Sequence, residues 1–488
     1  MTTVAAVPTS QASACRPRRL VAWGALGTAG AVGTVTFGSA IGATPGPGAG
    51  SWWFTVPAGT SVLAHVGFAV SVAAVVGAWI GVGVEARAGR LTPGWCWALL
   101  AAWGLPLLAG VPLFSRDLYS YVAQGQLVHR GFDPYVATPA DLGPGPELSS
   151  VASVWRHTAS PYGPLVVAVS RAVATIAGPG LVAQILCYRL VALAGLAAVV
   201  VGLPSLARRG GADPATALWL GALSPLALWS FCSSAHNDAV MLGFLIAGLV
   251  AAGRGRLLLG VALCALGATV KLPALAGAVF LIGAAVAERP GPGRWRAAVA
   301  PAAVVAAVVT AVTLAAGTGW AWLGPAALRI PAQLRVLTTP VVSVATFVWG
   351  LLHAVGLPVD RHATVSVLQA VAEVAALAGA VWLLAQSGRY RTEALLGTAL
   401  MLFVVASPTV WPWYWTWPLA VLAATPAQRS RWLAALAALA MLAVGAGGTP
   451  MLNQGDWWVS GPLLVAAAAV VATGGRWRVL LGARTDGR

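Results

Sequence analysis

The sequence predicts an all-α, polytopic membrane protein of about 14 transmembrane helices, with loops and interfacial helices on the outer face. Three observations predict it. Of the 488 residues, 59% are hydrophobic and only 9% are charged, against about 25% charged in soluble domains. Mean hydropathy is +0.82. Apolar runs of about twenty residues recur along the whole chain, separated by short arginine clusters of the kind found in cytoplasmic loops.

The net charge of +16 does not point to nucleic acid, because the arginines sit between apolar spans rather than on one basic face. Lys271 is the only lysine among 29 basic residues. Cys15, Cys96, Cys187, Cys232 and Cys264 lie far apart with no CxxC pair, so neither a disulfide framework nor a zinc site is indicated. The apolar stretch after CRPRR has no clear cleavage site and reads as a retained span.

The elements follow in order. Residues 1–18 form a polar cytoplasmic tail, and spans are expected near 19–42 and 60–86, joined by a loop with Trp52 and Trp53 at the membrane interface. Arg87 and Arg90 mark the cytoplasm, and a span at 95–114 carries the chain out to Arg116 and Asp117. The first large outer loop, 116–180, has helical stretches near 117–130 and 162–177, the second lying along the membrane. Further spans are expected at 181–207, 213–231, 238–253 and 297–316, with two short apolar pieces at 257–270 and 272–287 flanking Lys271. A second outer loop, 317–362, contains an interfacial helix at 341–357. Spans near 363–386, 394–409, 413–426, 431–447 and 459–474 complete the membrane region, and 475–488 is a cytoplasmic tail.

The unusual polar groups gather on one face: Arg116–Asp117, Asp133–Pro134–Tyr135, Ser160–Pro161–Tyr162–Gly163–Pro164, His236–Asn237–Asp238, Lys271, Arg329/Arg335 and Trp411–Pro412–Trp413–Tyr414. Charged groups at the end of a membrane span are costly and mark function. Asp117 reads as a general base, against the plainer role of pairing with Arg116 or capping a helix. His236–Asn237–Asp238 opens a span, so its residues either cap it or touch substrate; an ion held by His236 and Asp238 is weighed and not favoured, since HExxH and a local His cluster are absent. Lys271 reads as a point charge for an anionic head group rather than a snorkelling side chain. The WPWYW segment is dense enough to stack on a sugar. Arg189 and Glu373 lie inside spans, where either a bundle partner or an ion path would account for them.

These motifs resemble a known family. SRDLYSYVAQGQLVHRGFDPY, SPYGPL, AHNDAVMLG and VKLPA, from about Gly94 to about Trp417, are similar to those of the actinobacterial polyprenyl-phosphomannose-dependent α-(1→6)-mannosyltransferases of the MptA/MptB type, integral-membrane enzymes of the GT-C class. The segment GPELSSVASVWRHTA departs from the family pattern, which has an Asn before the Trp. The resemblance implies a GT-C-like core at 94–474 preceded by two N-terminal helices at 19–93. It also implies a polyprenyl-phosphate mannose donor and a lipid-anchored mannoside acceptor in lipomannan synthesis at the plasma membrane. No cofactor is expected. Under it Asp117 is the catalytic base, and Arg116, Lys271, Arg329 and Arg335 are the donor-phosphate cations. Substrate contacts are expected from Tyr119, Gln124, Asp133, Tyr135 and Tyr162, and from His236, Asn237, Asp238, Trp413 and Tyr414. Two other readings stay open: a GT-C enzyme using another polyprenyl-phosphate sugar such as arabinose, and a transporter of a lipid-linked sugar.

Overall fold

The computed structural model describes residues 17–41, 62–325, 327, 328, 330 and 339–426. Among them the regular structure is helical, with no β-strand. The helices are α1 (Pro17–Ala40), α2 (Val62–Arg87), α3 (Pro93–Ala109), α4 (Asp117–His129), two short turns α5 (Pro146–Ser150) and α6 (Ser153–Arg156), α7 (Pro164–Ala177) and α8 (Leu181–Gly210). Then come α9 (Pro214–Gly221), α10 (Pro225–Ala227), α11 (Asp238–Gly253), α12 (Leu257–Ala268), α13 (Leu275–Ala287) and α14 (Arg296–Ala316). The last four are α15 (Pro340–Ala354), α16 (Arg361–Ala385), α17 (Thr392–Ala406) and α18 (Thr416–Ala423).

Among the described residues five helices are long and apolar enough to cross a membrane, or six if the pair Pro214–Gly221 and Pro225–Ser233, bent by 49°, counts as one. Several apolar helices are short for a membrane crossing: α11, α12, α13 and α17 have 16, 12, 13 and 15 residues; α11 keeps its expected bounds, and α12 and α13 are the two short pieces expected on either side of Lys271. At 1.5 Å per residue, α12 reaches about 18 Å, well under the ~30 Å of a hydrocarbon core. The stretch 413–426 becomes a 3₁₀ turn over Pro412–Trp415 followed by an eight-residue helix. The spans expected at 431–447 and 459–474 lie outside the described residues, as do Trp52 and Trp53. The short helices are interrupted where the polar motifs fall, and broken backbone at membrane depth is tolerated only inside protein or along a cavity.

Local sequence sets the boundaries. Pro occupies the first helical turn of α3, α7 and α9, where its missing N–H costs nothing. Asp213 caps α9 by accepting from Thr216 N at 2.7 Å, and Asp360 caps α16 by accepting from Ala363 N at 2.6 Å. Gly211, at φ +71°, ends α8 in the left-handed conformation that favours glycine. The bundle is built from long neighbour contacts: α1 along α2, α8 along α11, α11 along α12, and α4 against α7. Trp79 of α2 and Trp219 of α9 stack with centroids 4.9 Å apart, and each indole N–H donates to the other's carbonyl, at 3.1 and 2.8 Å.

Arg189 answers the question its place in a span raises. It sits in α8, buried, and its guanidinium donates to the carbonyls of Leu108, Gly110 and Ser233. These are chain-end carbonyls that a broken bundle must satisfy. The same junction is sewn again by Leu113 N donating to Ser233 Oγ at 3.0 Å and Ser234 Oγ donating to Leu113 O. A π-helical turn at Leu228–Ser233 presents these serines. Glu373 accepts from Gln369 Nε2 at 2.9 Å, one turn away on its own helix α16, and the same Nε2 also donates to Ala406 O of α17. Arg189→Gln should therefore destabilise the fold by roughly 2–4 kcal/mol, since it strips charged donors from three buried carbonyls. A lowered melting temperature in detergent checks this; an unchanged one contradicts it.

Candidate active site

The site grows from the joint between α3 and α4. After α3 the chain turns at Phe114, which has φ +69° and stacks on Trp229 at 4.5 Å. A bulky residue in this conformation costs about 1–2 kcal/mol, held here by the Leu113–Ser233/Ser234 bonds. The turn delivers Asp117 as the first residue of α4. Its backbone N–H donates to Ser115 Oγ at 3.1 Å, so the helix start is satisfied without the carboxylate. Oδ1 accepts from Trp155 Nε1 at 2.8 Å, and Oδ2 lies 3.8 Å from His236 Nδ1, beyond hydrogen-bond range. Asp117 is 5% exposed. Burial pushes its carboxyl up to about 6, against the opposing pull of the Lys271 charge and the Trp155 N–H.

The second strand of the site is the loop before α11. Ala235, at φ +49°, re-aims the chain after the π-turn. His236 is fully buried, stacks on Trp413 at 3.8 Å and 24°, and shares a 3.2 Å hydrogen bond with Tyr121 OH. Burial, helped by the Lys271 charge, holds the imidazole well below its usual range, so it is neutral. Asn237 is nearly buried, does not cap α11, and leaves both amide atoms without a partner. It borders a separate apolar cavity of about 170 Å³ between α7, α8 and α11. Asp238 is fully buried; Oδ2 accepts from Lys271 Nζ at 2.6 Å and Oδ1 from Trp417 Nε1 at 2.7 Å.

Lys271 occupies the break between α12 and α13, ahead of a 3₁₀ turn at Leu272–Ala274. Its ammonium also stands 5.6, 5.3 and 5.9 Å from the ring centroids of Tyr162, Tyr414 and Trp417, within cation–π range. The SPYGP corner is sewn to this break: Gly163 N donates to Val270 O at 3.2 Å and Leu165 N to Thr269 O at 3.1 Å. A Cβ at Gly163 would overlap the Thr269 carbonyl, so the corner requires glycine.

Asp117, Lys271, Tyr162, Trp413 and Tyr414 face one cavity of about 550 Å³, a volume typical of ligand sites. Trp155, Trp322, Trp411 and Trp417 line it as well. One side is wholly apolar: Leu272, Pro273, Leu275, Ala276, Val279 and Phe403, from the 3₁₀ turn, α13 and α17. The cavity therefore combines a carboxylate of raised proton affinity, a single ammonium, aromatic walls and a greasy flank.

Other residues expected at the site stand behind it. Arg116 Nη2 donates to Ser150 O at 3.0 Å, which ties down the α5 turn instead of facing the cavity. Gln124 Oε1 accepts from Ser160 Oγ at 3.1 Å, and Tyr135 OH donates to Tyr162 O at 3.0 Å; both brace the SPYGP corner. Asp133 is exposed, and its Oδ1 accepts from Tyr135 N at 2.9 Å in a local turn. The Tyr119 hydroxyl is buried with no partner. Arg329 and Arg335 lie outside the described residues. Among the described residues no group of three or more His, Cys, Asp or Glu side chains is placed to hold a metal ion. His236 and Asp238, weighed as ion ligands, are engaged with Tyr121 and Lys271. Sequence reasoning missed Trp155, Trp417 and Tyr121. The one signal for Trp155 was an indole in an otherwise small-residue stretch of the first large loop.

Two family models match the chain. A family model described as "Alpha-(1->6)-mannopyranosyltransferase, N-terminal domain" matches residues 23–288, and one described as "MptB C-terminal domain" matches residues 338–475. The chain is 34% identical over 374 residues to alpha-(1->6)-mannopyranosyltransferase A of Mycobacterium tuberculosis, covering 74% of this chain and 71% of the relative. It is 30% identical over 341 residues to alpha-(1->6)-mannopyranosyltransferase A of Corynebacterium glutamicum, covering 65% and 68%. The B enzyme of the same bacterium is 30% identical over 396 residues, covering 74% and 64%. No solved structure matches. The chain belongs to the α-(1→6)-mannopyranosyltransferase family and is a membrane-embedded mannosyltransferase.

Proposed function

We propose that this enzyme transfers mannose from polyprenyl-phosphate mannose to a lipid-anchored mannoside, on the outer face of the plasma membrane, within a bundle of about 14 spans. The product is an α-(1→6) link of a lipomannan-type backbone. The observation that carries the reading is the shared cavity: Asp117 and Lys271 face one space whose flank at Leu272, Leu275, Val279 and Phe403 suits a prenyl chain.

The chemistry follows from those groups. The acceptor 6-hydroxyl gives its proton to Asp117 as its oxygen attacks the anomeric carbon. The bond from that carbon to the phosphate oxygen breaks, and its electron pair leaves with the polyprenyl phosphate. Attack opposite the phosphate inverts a β-linked donor to an α product. A phosphate is a good leaving group, so one carboxylate suffices, unlike the paired carboxylates of glycoside hydrolysis. Lys271 meets the departing phosphate as a fixed cation. Asp238 and the rings of Tyr162, Tyr414 and Trp417 hold that ammonium in place. No cofactor is required by this scheme.

Three outcomes are expected from purified protein in detergent, given polyprenyl-phosphate mannose and a short α-(1→6)-mannoside. Wild type forms the glycoside and Asp117→Asn loses on the order of 10²–10⁴ in rate. A folded Asp117→Asn protein with near-normal transfer would remove the base assignment; transfer from another polyprenyl sugar alone would remove the donor. Because the carboxyl sits at about 6, kcat/KM should be flat above that pH. Below it the rate should fall about tenfold per unit, as the base is protonated. A profile flat down to pH 5 contradicts this. Lys271→Gln should lower kcat about 10²-fold or more, the scale of losing a charge-stabilising group, measured under saturating donor. Unchanged kcat would assign the phosphate to another cation.

A further inference from the structure

The Asp117 carboxylate lies between the two ends of one aromatic stack. Trp155 Nε1 donates to Oδ1 at 2.8 Å, and His236 Nδ1 stands 3.8 Å from Oδ2. Between these ends the rings are continuous. Trp155 and Trp411 have centroids 6.3 Å apart at 28°, Trp411 and Trp413 5.1 Å at 10°, and Trp413 and His236 3.8 Å at 24°. The four rings come from three distant segments: the α6 turn, the WPWYW turn and the loop before α11.

We propose that this stack is a positioning device for the base: Trp411 and Trp413 hold Trp155 against the fixed His236 end, so that the Trp155 N–H orients the Asp117 carboxylate toward the acceptor hydroxyl. The proposal rests on the assignment of Asp117 as base. For Trp413 it stands in place of the expectation that WPWYW stacks on a sugar. Trp413 already stacks on two ring neighbours and is 4% exposed, so it has no open face for a pyranose.

The Trp155 end is itself anchored. Arg116, the neighbour of Asp117, donates to Ser150 O, and Arg156 Nε donates to Val151 O at 3.2 Å. The residue before the base thus latches the segment that returns Trp155 to it. In this account Arg116 is a positioning residue, and the adjacency of Arg116 and Asp117 in sequence is the means of coupling loop and base.

The test compares pH profiles of kcat/KM for wild type, Trp155→Phe, Trp411→Phe and Trp413→Phe in the full-length protein. Lys271, Asp238, His236, Tyr121 and Tyr162 face Asp117 and are kept in every variant. Trp155→Phe removes an N–H that favours the carboxylate, so the acid limb should move to higher pH by roughly half a unit or more. Acceptor KM should stay within about twofold, because the N–H that is lost is bound to Asp117 and the aromatic wall is kept. Trp411→Phe and Trp413→Phe should move the limb the same way and lower kcat roughly tenfold. A raised acceptor KM with kcat and limb unchanged would overturn the proposal and make the turn a sugar platform. Replacing Trp155 by benzothienylalanine, which keeps ring and shape but lacks the N–H, gives the same reading if Phe disturbs folding; an unmoved limb there also overturns it. An active Asp117→Asn protein would instead remove the underlying base assignment, so the two failures are distinguishable.

Discussion

The Lys271–Asp238 pair, at 2.6 Å, is the contact around which the described bundle is arranged. Burying two ions unpaired would cost several kcal/mol each, and pairing them demands good geometry and further hydrogen bonds. Trp417 supplies one such bond to Asp238, and three aromatic rings surround the ammonium. To meet, the two charges must sit at helix ends: Asp238 at the start of α11 and Lys271 in the gap between α12 and α13. The pair therefore forbids two uninterrupted spans. It also frees carbonyls at the gap, and Gly163 and Leu165 of the SPYGP corner take up those of Val270 and Thr269. Tyr162 is carried over the ammonium by the same corner.

Strain and burial at Asp117 follow from a second junction. Among the described residues two non-glycine positions have positive φ, Phe114 and Ala235, and each precedes a site residue by one to three positions. Such conformations persist only where the surroundings over-determine them. Here Arg189, Ser233 and Ser234 fix the end of α3 against the π-turn, which places Asp117 and His236 across from each other. The low-dielectric setting that raises the proton affinity of Asp117 is the same one that strengthens its interaction with Lys271.

Much of this was legible in the sequence because it was anomalous there. A single lysine in an apolar stretch and an aspartate at the end of a span stand out against an Ala, Val and Leu background. The helices α1, α2, α8, α14 and α16 follow directly from long apolar runs. The break at Lys271 between α12 and α13 was legible as well, but what satisfies it was not, because hydropathy does not register a distant loop. Arg116 was less legible: a cation next to an anomalous carboxylate suggests a ligand, and only the fold shows its Nη2 serving the Ser150 carbonyl. Trp155 is 38 residues from Asp117, and no local pattern announces a hydrogen bond across that separation. The role of WPWYW likewise depends on which neighbours cover the rings, a tertiary fact.

The central claim is a single displacement at one carboxylate with the phosphate as leaving group. Its most direct test is the anomeric configuration and linkage of the first product, read by NMR with purified protein, β-linked polyprenyl-phosphate mannose and a defined mannoside acceptor, alongside release of polyprenyl phosphate. The account predicts an α-(1→6) bond from the first turnover, with one polyprenyl phosphate freed per bond. A β product, or phosphate release without a new glycosidic bond, would contradict it.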